Sequence, residues 1–324
     1  MKKIIKEDLW FYISLIIIII LFKIKLPYYI DRPGGTIEIN NRIECKSCHK
    51  INGSLNLMYV TENEATIPTF LASFLIPNWD LEKISEQQIN NETTEEIFKR
   101  NKLMLEESID SAIMVAYKES NNDINITSKK NIVLTTTINN NLKIGDEILE
   151  VDGRKIDNIL DIKKIINEKE KNDKLNIKVK RNNQEKQVTV TIREEKKVKL
   201  IGAVITTDYD YNLDPSIKIK FKQNEAGASG GLMLALSIYS KISKEDIIKG
   251  RKIAGTGTIN FDGTVGQIDG IKYKIIGAHK NNIDIVLVPK ENYKEALKVK
   301  KKNKYKMKIV KVEKFSDAIK YLKR

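Results

Sequence analysis

The chain has 324 residues, and its 57 Lys and Arg outnumber 43 Asp and Glu to give a formal net charge of +14. That length fits two modest domains plus an appendage, at roughly 100–200 residues per domain, and an apolar share of 41% supplies real cores. The positive excess runs along the chain and thickens in Lys290 to Arg324. It shows little aromatic interleaving and no helix-turn-helix, zinc-finger or RNA-binding signature, so it reads as solvated surface and argues against nucleic acid as a partner.

Leu9 to Phe22 is apolar except for Ser14, and Lys23 to Leu26 extends it. With Lys stems snorkelling to the interface, residues 9–26 rise about 27 Å as a helix, close to a hydrocarbon core of about 30 Å. A cleavable signal peptide would need small residues before its cut site, and Lys23 to Tyr29 offers none. The expectation is an uncleaved single-pass anchor contacting lipid through residues 9–26. Lys2, Lys3 and Lys6 are balanced by Lys23, Lys25 and Arg32, so charge alone leaves its orientation tied. Pro33-Gly34-Gly35 then breaks any helix, and Thr36 to Ile39 and Leu55 to Val60 read as strands of a small membrane-proximal β-rich segment. A helix follows over Thr94 to Lys118, with Met104, Ser108, Ala112, Val115 and Tyr117 on its inner face. Cys45-Lys-Ser-Cys48 followed by His49 fits c-type haem attachment, a redox pair or half of a zinc site. Each lacks its context, which favours a local disulfide or a thiol pair on a loop.

From 121 to 196 the pattern is strand-rich. Ile132 to Ile138, Leu175 to Lys180 and Val188 to Ile192 alternate as strands, the last two joined through Asn182-Asn183. Ile159 to Ile166 has helical spacing. The string Leu142-x-x-Gly145-Asp146-x-Ile148-x-x-Val151-Asp152-Gly153 resembles a PDZ domain of the bacterial protease type, which implies a β-sandwich or barrel whose sheet edge accepts an added peptide strand. No glycine-hydrophobic-glycine carboxylate loop is legible around Asn122 to Lys130.

Beyond Lys199 the elements alternate as mixed α/β. Ile201 to Thr206 and Ile217 to Phe221 read as strands and Ser229 to Ile242 as a buried helix. Ile253 to Ile259 and Thr264 to Ile268 read as a hairpin around Asp262-Gly263. A helix near Gly270 to Lys280 and a strand Ile283 to Val288 follow. Gly227-Ala228-Ser229-Gly230-Gly231 frames a serine with glycines at a helix start, where backbone N–H groups and the helix dipole favour negative charge. Those are the needs of a nucleophile with an oxyanion hole. The same five residues spell G-x-S-x-G, but the α/β-hydrolase reading needs a later histidine, and only His279 follows, on a lysine-rich helix. A lysine is the remaining base. Lys274 falls at the edge of the Ile271, Ile275, Ala278 stripe, where half-burial would lower its affinity for a proton, whereas Lys272 points away. The plain alternative makes Lys274 a surface lysine and Ser229 an N-cap.

Residues 199–324 resemble the proteolytic domain of Lon, and the whole chain resembles the membrane-anchored, PDZ-containing Lon-like proteases. The resemblance rests on Gly227 to Gly231 for the family's G-P-S-A-G and Ala254 to Ile259 for its T-G-x-I strand. It also rests on Gly263 to Lys274 for its G-x-V-x-x-I-G-G-x-x-x-K, and on Val286 to Pro289 for a strand ending in proline. It implies an α+β multidomain chain. Its parts would be residues 1–27 as cytoplasmic tip and transmembrane anchor, 28–120 as the β-rich segment plus helix, 121–196 as the PDZ-like domain, and 197–324 as a Lon-type domain of the ribosomal protein S5 domain 2-like fold.

The resemblance further implies an ATP-independent endopeptidase with a Ser229–Lys274 dyad, Thr256 positioning the lysine, and backbone N–H groups of Gly227, Ala228 and Ser229 holding the oxyanion. No cofactor or metal is implied, and no phosphate-binding loop is present. The partner is a peptide or protein substrate, and homo-oligomer formation is compatible with the family. The location is the cell membrane, with an N-terminus in the cytoplasm and PDZ and protease domains outside it. Ala228 replaces the family proline, and Gly230 replaces an alanine and is expected to loosen the nucleophile's frame. The competing reading is a catalytically silent PDZ adaptor.

Overall fold

Two sheets divide the molecule, and they interleave along the chain. The computed structural model describes residues 2–137, 139–243 and 245–324, with side chains from Leu9 onward. The last residue of the expected strand Ile132 to Ile138 and the side chains of Lys2, Lys3 and Lys6 lie outside the described residues. The first sheet runs in the order Lys308–Val312, Ile285–Pro289, Lys252–Gly255, Ser54–Thr66, Lys25–Glu38, Asp80–Lys83. Its first four strands pair in parallel and the last two antiparallel. The expected separate unit 28–120 is therefore corrected: its strands continue the sheet of the C-terminal domain, with Ser54–Leu57 beside Lys252–Gly255. Parallel neighbours so far apart in sequence leave no local signature.

The second sheet is a single antiparallel one, in the order Ala203–Asp214, Asp123–Thr136, Glu147–Val151, Lys174–Arg181, Gln184–Thr191. A helix Ile159–Asn167, capped by Asn158, closes a core that includes Val133, Leu142, Ile148, Ile162 and Ile177. This is one sheet under a helix rather than two stacked sheets. The boundary expected at 197 also moves, because Ala203–Asp214 pairs with Asp123–Thr136 along its length. The unit is thus inserted between two halves of the first sheet's domain.

The long helix Thr94–Glu119 joins the two units. It opens with a capping box of Thr93 and Glu96. Its Ala112, Ile113, Val115 and Ala116 share a core with Leu232, Leu236 and Ile238 of the helix Gly231–Ile242. On its other side the buried Asp110 accepts hydrogen bonds from the backbone N–H of Tyr209 (3.2 Å) and the hydroxyl of Tyr211 (3.0 Å).

The N-terminal helix Lys2–Lys23 departs from expectation. It ends before Lys25, where the strand Lys25–Glu38 takes the chain into the first sheet. Residues 9–26 are therefore not one helix, and Leu9 to Phe22 rises only about 21 Å. No helix among the described residues is long and apolar enough to cross a membrane.

Candidate active site

The turn that carries Ser229 is shaped by glycines, each for a different reason. Gly227 lies at φ 91°, a left-handed conformation that side chains resist, although nothing would touch a Cβ there. Its N–H donates to the carbonyl of Asn101 on the long helix at 2.9 Å. At Gly230 space is the constraint: a Cβ would come within 2.7 Å of Leu57 Cδ1. The Leu57 side chain, from the strand Ser54–Thr66, packs against Gly230 where a side chain of its own would have to go. At Gly231 a Cβ would meet Ser108 Oγ at 2.6 Å. The helix Gly231–Ile242 is buried at every residue except Lys241, so the turn cannot shift along its axis without disturbing the core.

Lys274 reaches this turn from the helix Ile271–Lys280, which starts at Gly270 in a left-handed conformation (φ 69°). Ile271, Ile275 and Ala278 anchor the helix against Met58, Ala254, Val286 and Val288. Gly277 lets it approach the strand Lys25–Glu38 closely, since a Cβ would come within 3.1 Å of Gly35 Cα. Lys274 is 3% exposed. Burial lowers its ammonium pKa to about 8, against the opposing charge of Asp269. Its Nζ donates to Thr256 Oγ1 at 3.2 Å, and the Thr256 hydroxyl in turn donates to the carbonyl of Ser229 at 2.9 Å. Gly257 N–H donates to the same carbonyl at 2.8 Å. The expected strand Ile253 to Ile259 breaks here: Lys252–Gly255 joins the large sheet, Thr258–Ile259 forms a separate hairpin, and Thr256-Gly257 between them faces Ser229.

Residues 221–323 match the family model of the Lon protease (S16) C-terminal proteolytic domain, and residues 103–192 match that of the PDZ domain. The chain thus carries one stretch that matches a Lon-type proteolytic domain and one that matches a PDZ domain. Among curated relatives, the Lon protease of Aster yellows witches'-broom phytoplasma is 33% identical over 91 residues, covering 28% of this chain and 11% of its own. That of Campylobacter jejuni is 34% identical over 96 residues, covering 29% and 12%. The chain therefore spans only about a tenth of the length of those relatives. Among solved structures, the PDZ domain of an SdrC-like protein from Listeria monocytogenes is 22% identical, with a TM-score of 0.24, covering 25% of this chain and 92% of that one.

Within the Lon-type domain, three of the expected site residues, Ser229, Thr256 and Lys274, come together as one hydrogen-bonded run from amine to hydroxyl to carbonyl. The Ser229 hydroxyl has no hydrogen-bond partner among the described residues. Gly227 is a correction: its N–H is committed to Asn101 and does not face an oxyanion. The N–H groups of Ala228, Ser229 and Gly230 have no partner among the described residues. His279 is exposed and stacks on Tyr305, with ring centroids 3.9 Å apart, and Lys272 pairs with Asp80 at 2.5 Å; neither joins the site. Sequence reasoning missed Asn101, Leu57 and the role of Ser108, whose hydroxyl donates to the Ala228 carbonyl at 3.1 Å. Ser108 was legible only as an inward-facing position of its helix. Cys45 and Cys48 form a disulfide, beside the short strand pair Ile43–Cys45 and Ile217–Ile219.

Proposed function

We propose that the protein is a serine endopeptidase in which Ser229 is the nucleophile and Lys274 the general base. The observation that carries this is a buried lysine, its pKa brought to about 8, tied through Thr256 to the backbone of a glycine-framed serine. A neutral Lys274 takes the proton as Ser229 Oγ attacks the scissile carbonyl. The resulting ammonium gives that proton to the leaving amine, and water then releases the acyl group by the reverse transfers. The transfer requires the Ser229 hydroxyl to come within hydrogen-bond reach of the amine. Substrates are peptides or loosely folded proteins, hydrolysed without ATP.

The PDZ domain presents substrate to the site by β-augmentation. A cleft is lined by Tyr29, Glu62, Glu64, Phe98 and Asn101, and the Asn101 carbonyl also accepts from the N–H of Gly227 beside the serine. The protein is tethered to a membrane by Leu9 to Phe22, a helix apolar on all sides and exposed from Leu9 to Ile20 and at Phe22. Beside it, Leu71, Phe74 and Leu75 form a second exposed apolar patch. The disulfide favours placement of the folded units outside the cytoplasm.

The test is hydrolysis of a flexible peptide, without nucleotide, by the wild type and by Ser229→Ala and Lys274→Met. Cleavage by the wild type alone is expected. Equal cleavage by all three, or none by the wild type, overturns the peptidase reading in favour of a silent scaffold.

A further inference from the structure

Ser229 sits between two peptide planes, and each has its carbonyl held. The Ala228 carbonyl accepts from the Ser108 hydroxyl at 3.1 Å and from the Gly231 N–H at 3.2 Å. The Ser229 carbonyl accepts from the Thr256 hydroxyl and the Gly257 N–H. In a planar trans peptide the N–H points opposite to the C=O. Holding the Ala228 carbonyl therefore aims the Ser229 N–H, and holding the Ser229 carbonyl aims the Gly230 N–H. Both N–H groups are without partners among the described residues, as first-turn donors at a helix start are when a ligand is to fill them.

From this geometry we infer that Ser108 is a positioning residue for the oxyanion site, which is formed by the N–H groups of Ser229 and Gly230. Ser108 lies on the long helix, outside the stretch 221–323 that matches the Lon-type domain, and is 6% exposed, so water does not substitute for it. The space it needs is kept by Gly231, where any side chain would displace the hydroxyl. Thr256 would then have two duties, receiving the lysine and aiming the second donor. The peptidase site is thus incomplete without a helix contributed by the N-terminal half of the chain.

This inference rests on the peptidase reading, and its test separates the two. Full-length wild type, Ser108→Ala and Ser108→Thr are compared for kcat and KM on a flexible peptide, for inhibition by a peptide aldehyde that forms a tetrahedral adduct, and for binding of the uncleavable product peptide. Loss of one shielded hydrogen bond should lower kcat in Ser108→Ala about tenfold. Aldehyde affinity should fall by the same factor, with KM and product binding unchanged, and Ser108→Thr should recover most of both. Should Ser108→Ala fail to fold, Ser108→Cys, of similar volume but a weak donor, is expected to show the same split. Wild-type kcat in the alanine variant, or an equal loss of product binding, overturns the role of Ser108 while leaving the peptidase intact. A wild type that neither cleaves nor binds the aldehyde overturns both.

Discussion

Burial does opposite work at two places in the first sheet's domain, one on a helix and one on a strand. At Lys274 it loosens an amine's hold on its proton, lowering its pKa to about 8. At Asp31, between the strands that carry Glu62 and Glu82, it keeps a proton on a carboxyl, raising its pKa to about 7, and the neighbouring carboxylates push the same way. One carboxyl oxygen of Asp31 is buried with no hydrogen-bond partner, while Gln87 bridges Glu62 and Glu82. Both regions store electrostatic cost. Only the lysine is tied, through Thr256, to the backbone of the proposed nucleophile, which teaches that a displaced pKa points to a candidate site when the geometry around it offers chemistry.

The sharpest way to break this comparison is to remove each titrating group in turn. Lys274→Met should abolish peptide hydrolysis, by roughly 10⁴-fold or more, as loss of a base in a nucleophilic pair does. It should nonetheless raise thermal stability, because a buried amine is replaced by an apolar chain of similar length. A variant that loses both activity and stability would show that the lysine holds the fold. The wild-type pH profile carries the same information. Only the neutral amine is a base, so kcat/KM should climb with pH up to about 8 and then level off. A profile flat between pH 6 and 9 would remove Lys274 from the role of base.

Thr256 should come next in size. Thr256→Val keeps the shape but removes the hydroxyl that receives the lysine and holds the Ser229 carbonyl. Hydrogen bonds to a charged group are worth about 1.5–3 kcal/mol, so kcat should fall about 10- to 100-fold, with the inflection of the pH profile displaced. An unchanged inflection alongside full activity would mean the run from amine to carbonyl is incidental.

These residues mark how far the sequence is informative. Ser229 and Lys274 could be singled out from local pattern, the one framed by glycines and the other at the edge of an apolar stripe, whereas Thr256 and the pairing of the three come only from the resemblance to the Lon proteolytic domain. Asn101, Ser108 and Leu57 could not, because each reaches the turn from an element more than a hundred residues away in the chain, and no local pattern encodes that meeting. The same holds for the domain plan. A parallel pairing of Ser54–Leu57 with Lys252–Gly255 is invisible to periodicity, so the N-terminal strands read as a unit of their own. The helix expected over residues 9–26 ends early for a related reason: the chain passes into the pairing of Lys25–Glu38 with Ser54–Thr66.

At Asp31 the expected effect is on stability alone. Its folded pKa lies above the ordinary 3.8, so the folded protein binds the extra proton between there and about 7. Stability is therefore fully present at the acid end of that window and is lost as pH rises through about 7. Asp31→Asn should flatten this dependence, raising the melting temperature by a few degrees at pH 8 and little at pH 4, with kcat unchanged. A matching loss of hydrolysis would mean the carboxyl cluster serves the reaction, and the contrast with Lys274 would fail.

The smallest effect belongs to Lys272, two residues before Lys274 on the same helix. It pairs with Asp80 at 2.5 Å, and both side chains are close to half exposed, at 41% and 48%. Such a pair gains little in high dielectric, with a typical worth of about 0–1 kcal/mol. Lys272→Ala should thus leave kcat and the pH inflection alone and lower stability within that range, the loss shrinking further at high salt. Because the two lysines share a helix, this variant asks whether the chemistry follows position or merely proximity. A fall in hydrolysis comparable to that of Lys274→Met would mean that helix placement as a whole, rather than one buried amine, governs the reaction.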